Sequence, residues 1–148
     1  MSLPASLFDP HRVQLNADIG SKKRLLEALA ELFSDEESEQ NKIFEKLLER
    51  ERLGSTGLGY GVALPHARIE SLARPRAAFI RLAEGIDFDS PDGDRVKLVV
   101  ALLVPQEATD EHLQLLAGIA TIFNQEPLRQ ELSSAESPEV ILQLLTGQ

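Results

Sequence analysis

Val96-Lys-Leu-Val-Val-Ala-Leu-Leu-Val104 is almost wholly apolar, interrupted only by Lys97. A run of that length without polar alternation predicts a central strand covered on both faces. Helical periods on either side supply the cover. Upstream, Ser21 can cap a helix whose Leu25, Leu26, Leu29, Leu32 and Phe33 form one apolar stripe. A polar, acidic turn from Ser34 to Gln40 leads to a second helix with Ile43, Phe44, Leu47 and Leu48 inward, ended by Gly54. Arg50 and Arg52 fall in its last turn, where cations complement the helix dipole. Downstream of Pro105, Thr109 or Asp110 caps a helix whose Leu113, Leu116, Ile119, Ala120 and Phe123 face the core. Two shorter helices follow, with Pro127 and Pro138 in their first turns and Ser137 as a cap. Arg12 to Leu15 and Ala77 to Leu82 read as further strands, and Ile86 and Phe88 as an edge segment before the turn Ser90-Pro-Asp-Gly93. Val62 to Leu64 is too short to assign by itself. This order predicts an α+β fold with helices on both sides of a mixed sheet.

With 148 residues, 43% of them hydrophobic, the chain suits one domain over residues 1–148, burying about 70% of its unfolded surface. The absence of cysteine excludes disulfides, thiolate metal sites and a thiol nucleophile. No basic region followed by an apolar core opens the chain, and no apolar run approaches the ~20 residues needed to span a bilayer. The expectation is a cytoplasmic protein without membrane insertion. A net charge of −9 argues against nucleic acid or an anionic membrane as the main partner. Between Lys42 and Arg81, however, eight Lys/Arg face four Glu, a local +4. That segment suits an anionic group, although solvated arginines clustering by chance would look the same.

Inside the positive segment lies Arg50-Glu-Arg-Leu-Gly-Ser-Thr-Gly-Leu-Gly-Tyr-Gly-Val-Ala-Leu-Pro-His66. Gly54, Gly57, Gly59 and Gly61 permit backbone conformations closed to other residues, and glycine-lined loops expose N–H groups that bind anions. The loop reads as a phosphate cradle, with Ser55 and Thr56 as phosphate-facing hydroxyls. No Gly-Lys-Ser/Thr follows the glycines, and Val62 occupies the third glycine position of a dinucleotide fingerprint, so a nucleotide fold is not favoured. Leu53 breaks the Gly-x-Ser-x-Gly pattern that would make Ser55 a nucleophile. His66 suits that role, since neutral imidazole attacks phosphorus without an added base. Arg50 can fold back to it across the loop. His112, at the start of a helix, can hydrogen-bond the incoming phosphate. Taken singly, His66 also reads as a half-buried structural histidine, and His112 as a capping or surface residue. His11, His66 and His112 lack metal-ligand spacing, so neither a metal nor any other cofactor is expected.

The stretch from Arg50 to His66 closely resembles the active-site signature of phosphotransferase-system IIA proteins of the fructose/mannitol type, and the nitrogen-regulatory IIA branch most of all. The similarity extends through Leu102-Leu-Val-Pro105 and Glu111-His112-Leu113 to the C-terminus. It implies a three-layer α/β/α sandwich around a mixed sheet. It also implies that His66 is phosphorylated on Nε2 by a histidine-phosphorylated carrier protein, with Arg50 and His112 in supporting positions. Two departures are Ala67-Arg68, where the regulatory branch often has Gly-Lys, and Tyr60, where a polar residue is common.

The resemblance leads first to a phosphocarrier of a regulatory relay, whose phosphorylation state alters its binding to target proteins of the sensor-kinase or potassium-transport kind. A sugar-uptake component passing phosphate from His66 to a IIB domain for fructose or mannitol transport would use the same chemistry. A binding module that keeps the fold but has lost phosphotransfer is disfavoured by the presence of Arg50, His66 and His112 together.

Overall fold

Strand β6 (Val96–Pro105) separates two hydrophobic cores in the computed structural model, which describes residues 2–107 and 109–148. Successive side chains of a strand point to opposite faces. Val99, Ala101 and Leu103 therefore enter one core, and Leu98, Val100, Leu102 and Val104 the other. Strand β5 (Arg76–Ile86), antiparallel to β6, divides in the same way: Ala78, Ile80 and Leu82 on one side, Ala77 and Phe79 on the other.

The first core is closed by helices α1 (Lys22–Phe33) and α2 (Glu37–Leu53), which bury Leu25, Leu26, Leu29, Ile43 and Leu47. Helices α3 (Asp110–Phe123), α4 (Glu126–Ser134) and α5 (Pro138–Thr146) close the second with Ile119, Ile122, Phe123, Leu132, Ile141 and Leu145. Each fully buried side chain of this size contributes about 1.5–3 kcal/mol. The result is the expected helix–sheet–helix layering. Ser21 and Ser137 cap α1 and α5, accepting from Arg24 N and Val140 N. Of the alternatives at α3, Thr109 is the cap.

Strand β1 (Val13–Ala17) runs parallel to β5, and Arg12 precedes it in a 3₁₀ turn. On the far side of β6, β3 (Val62–Ala63) and β4 (His66–Ile69) both run parallel to it, interrupted by Leu64-Pro65. Strand β2 (Gly57–Gly59) then pairs antiparallel with β3 at the edge.

Three elements depart from the sequence reading. Ile86 does not begin an edge segment but ends β5, paired with Val96, and Phe88 beyond it is fully buried. Helix α2 starts at Glu37, inside the expected turn, because Glu37 and Glu39 in its first turn complement the dipole. The glycine stretch is not an open loop. It forms the β2–β3 hairpin, whose two turn residues Tyr60 and Gly61 have φ of 56° and 78°. Positive φ at both positions matches the right-handed twist of paired strands.

Candidate functional site

Pro65 interrupts the chain just before β4, so His66 is the first residue of a strand whose partner residue is Leu102 on β6. Side chains two apart on a strand share a face, which puts His66 and Arg68 on the same side. Helix α2 brings Lys46, Glu49, Arg50 and Leu53, spaced to lie along one face. Helix α3 brings His112, Leu113 and Leu116, and the end of β6 adds Val104 and Gln106. Together they line a cavity of about 390 Å³.

The His66 ring is half-buried, with Nδ1 2.9 Å from the carbonyl oxygen of Leu64. A carbonyl only accepts, so the hydrogen bond assigns the proton to Nδ1 and leaves the lone pair on Nε2. Burial pushes the imidazolium below the ordinary histidine value of 6.5; the Leu64 carbonyl opposes this, the Arg50 charge adds to it, and Glu51 opposes it. The ring is therefore neutral near pH 7 with a fixed nucleophilic nitrogen.

His112 has the other tautomer. Its Nδ1 accepts from the Thr109 backbone N–H at 3.1 Å, and the His112 N–H donates in return to the Thr109 carbonyl at 3.0 Å, which fixes the ring at the helix start. In the neutral ring the proton then sits on Nε2, free to donate to a ligand in the cavity it lines. Arg50 Nη1 donates to the Gly54 carbonyl at 2.9 Å, leaving further N–H groups of the guanidinium for the cavity.

The structure thus brings His66, Arg50 and His112 together. It does not bring the glycine stretch to them: Gly54, Ser55, Thr56, Gly57, Gly59 and Gly61 do not line this cavity. Ser55 Oγ donates to the Phe88 carbonyl at 2.6 Å and accepts from Gly57 N–H at 3.0 Å. Thr56 is buried and donates through both N–H and Oγ1 to the Glu51 carboxylate, at 2.9 and 2.6 Å. Gly57 packs so closely on Ser90 that a Cβ there would meet Ser90 Oγ at 2.5 Å. Gly59 and Gly61 lie against Asp92 and the Arg95 carbonyl. His11 is exposed, pairs with Asp9 and does not line the cavity.

Arg68, noted from sequence only as a departure from the family pattern, and Lys46 also line the cavity; the strand and helix periods that place them there were available. Leu53 and Leu113, 83% and 57% exposed, form an apolar rim: the sequence reading gave Leu53 no such role and turned Leu113 toward the core, whereas its position in the first turn of α3 leaves it at the mouth of the cavity. Large apolar side chains left in water beside a functional cavity favour contact with another macromolecule.

A neutral histidine with a free Nε2 thus stands among guanidinium and imidazole donors in a three-layer α/β/α domain, an arrangement chemically suited to receiving an anionic group. Residues 6–148 match the family model "Phosphoenolpyruvate-dependent sugar phosphotransferase system, EIIA 2", and the chain belongs to that family. A nitrogen regulatory protein of Pseudomonas aeruginosa is 43% identical over 141 residues, covering 94% of this chain and 92% of that one. A fructose-specific EIIA component of Haloferax volcanii is 34% identical over 135 residues, covering 90% and 88%. The crystal structure of nitrogen regulatory protein IIA-Ntr from Neisseria meningitidis superposes with a TM-score of 0.91 at 42% identity, covering 96% of this chain and 98% of that one. Among the described residues, no helix is long and apolar enough to cross a membrane.

Proposed function

We propose that this chain is a phosphocarrier of a regulatory phosphotransferase relay, accepting a phosphoryl group on His66 Nε2 from a histidine-phosphorylated carrier protein in the cytoplasm. The observation that carries the reading is the convergence of His66, with its lone pair held on Nε2, with Arg50 and His112 at one cavity. The Nε2 lone pair attacks phosphorus. A new N–P bond forms as the carrier's P–N bond breaks, and the departing carrier imidazole keeps the electron pair. His66 becomes a phosphoimidazolium whose positive charge is shared through Nδ1–H with the Leu64 carbonyl, a charge-assisted hydrogen bond. Arg50 and the Nε2–H of His112 stabilise the phosphoryl oxygens during transfer. The strap from Gly54 to Gly61 contributes at one remove, since Arg50 is bonded to Gly54.

The exposed Leu53 and Leu113 at the rim support a protein donor rather than a small phosphate ester. Phosphorylation adds about −1.5 to −2 charge at this rim, enough to make or break an interface there, which is how the modification would govern target proteins. The similarity to nitrogen regulatory proteins favours regulation, and the family resemblance of the Arg50–His66 stretch suggests sensor-kinase or potassium-transport components as the kind of target. The similarity to a fructose-specific component keeps sugar uptake as the second reading. Incubation with phosphoenolpyruvate, the first enzyme of the relay and its carrier is expected to add one phosphate, and His66→Ala to abolish it. Unchanged labelling of His66→Ala would overturn the assignment. Onward transfer to a purified fructose- or mannitol-specific IIB would favour uptake over regulation.

A further inference from the structure

Glu51 is the only buried carboxylate among the described residues, and it stands in the last turn of α2, where the carbonyl end of the helix disfavours negative charge. A buried acid in such a place needs compensation. Three groups supply it. Thr56 donates from its N–H at 2.9 Å to one carboxylate oxygen and from its hydroxyl at 2.6 Å to the other. Lys22 Nζ, at the start of α1, lies 3.1 Å from the first oxygen and is itself mostly covered. The same ammonium reaches Asp89 at 3.6 Å and sits 4.4 Å over the Phe88 ring.

These contacts fix the chain as it leaves α2. Thr56 is held back against the helix by both donors, so the two intervening residues must arch. The arch is closed by Gly54 N–H donating to the Glu51 carbonyl at 3.2 Å, and Ser55 Oγ pins its outer side to Phe88. In that position the Gly54 carbonyl accepts from Arg50 Nη1. Arg50 and Glu51, adjacent on one helix, point about 100° apart: one reaches the cavity and the other the strap. The carboxylate also belongs to the electrostatic surroundings of His66, opposite in sign to Arg50.

We infer that Glu51, neutralised by Lys22, is a positioning residue of the phosphoryl-transfer site. By clamping Thr56 it sets the Gly54 carbonyl where it holds the Arg50 guanidinium at the His66 cavity. The inference rests on the proposed phosphoryl transfer to His66 and deepens it. It gives the Arg50-Glu51 pair and the strap one shared purpose: the acid builds the support and the base makes the contact.

The test is a double-mutant cycle on relay phosphorylation of His66, read as a rate. Glu51→Ala alone is expected to slow transfer roughly tenfold or more, the scale of a displaced catalytic group. In an Arg50→Ala background it is expected to slow transfer little further, because the group through which it acts is gone. Equal slowing in both backgrounds would overturn the inference, as would no slowing in either. If Glu51→Ala fails to fold, Thr56→Val, which removes one of the three contacts, takes its place in the same cycle with a smaller expected effect. NMR of the Arg50 guanidinium in the protein alone provides a readout independent of the relay. Rotation of its Nη groups is expected to be slow in the wild type and fast in Glu51→Ala or Thr56→Val, and equal rotation overturns the positioning role. Failure of the wild type to take phosphate would sink the phosphotransfer reading, while the Arg50 signals would still decide whether Glu51 places that side chain.

Discussion

The Nδ1 of His66 and the carbonyl oxygen of Leu64 lie 2.9 Å apart, two residues along the chain and across Pro65. That bond chooses the nucleophile. With the proton on Nδ1, only Nε2 can attack, so ¹⁵N spectra of the unphosphorylated protein are expected to show the Nδ1–H tautomer, and the phosphorylated protein a bond at Nε2. An Nε2–H tautomer would contradict this arrangement.

Burial lowers the His66 pKa, which gives a signed pH dependence. Between the folded value and 6.5 the unfolded chain binds the proton that the folded ring refuses. The folded state therefore loses stability as pH falls from 6.5 toward the folded value, and none of this penalty applies above 6.5. His66 should titrate below the ordinary histidine range by NMR, and His66→Gln should remove this part of the acid-side slope of thermal stability. A midpoint above 6.5 would show that burial does not dominate.

Arg50 acts on His66 both as a neighbouring charge and as a donor to the transferred group. Its positive field lowers the His66 pKa, so Arg50→Ala is expected to raise the midpoint. The same variant removes a donor from the transferring oxygens and should slow phosphorylation on the order of a hundredfold. Thermal stability should change little because the side chain is partly exposed. Wild-type transfer rates with an unchanged His66 titration would remove Arg50 from the site.

The glycines of the hairpin make a contrasting prediction. A Cβ at Gly57 would lie 2.5 Å from Ser90 Oγ and 3.1 Å from Ser90 Cα. The hydroxyl can rotate away but the backbone atom cannot, so Gly57→Ala should cost about 1–3 kcal/mol. At Gly118, within α3, a Cβ meets nothing within 4 Å. Gly118→Ala should instead gain up to ~1 kcal/mol from helix propensity. Denaturant unfolding of the two variants checks both signs.

Much of this was legible in the sequence, because long elements announce themselves. The apolar run of β6 from Leu98 to Val104, the stripe of α1 and the serine caps fix the layers. The short strands were not legible: β2 is glycine-rich and β3 has two residues, so neither shows a period; β3 exists because β6 offers an edge to pair with, and β2 because β3 does. At the site, the sequence allowed Arg50 to fold back to His66 and His112 to meet an incoming phosphate, but spacing gave no distances, and the resemblance added their supporting positions. The glycines suggested an anion cradle from composition, whereas their packing against Ser90, Asp92 and Arg95 depends on a loop more than thirty residues away in sequence. Nothing local in the chain encodes that contact.

Arg81 presents a different problem, a guanidinium in the middle of β5 that is only 8% exposed. It makes no ion pair with a carboxylate among the described residues. Nη1 donates to the carbonyls of Leu132 and Ala135 at 2.9 and 2.6 Å, and Nη2 lies 3.4 Å from Asn16 Oδ1. Leu132 and Ala135 stand at the C-terminal end of α4, where carbonyls lack helical partners and the dipole is negative. The helix end thus serves as the counter-charge, and the arginine fastens α4 to the sheet. Arg81→Ala removes a charged donor and leaves two carbonyls unsatisfied, an expected loss of about 2–4 kcal/mol. Arg81→Lys keeps the charge without the planar fork and should recover part of it. Because α4 contributes no lining to the His66 cavity, both variants should still accept phosphate at temperatures where they remain folded. Calorimetric melting alongside relay phosphorylation at low temperature separates the two effects. A wild-type melting temperature for Arg81→Ala would show that the helix end does not need the arginine.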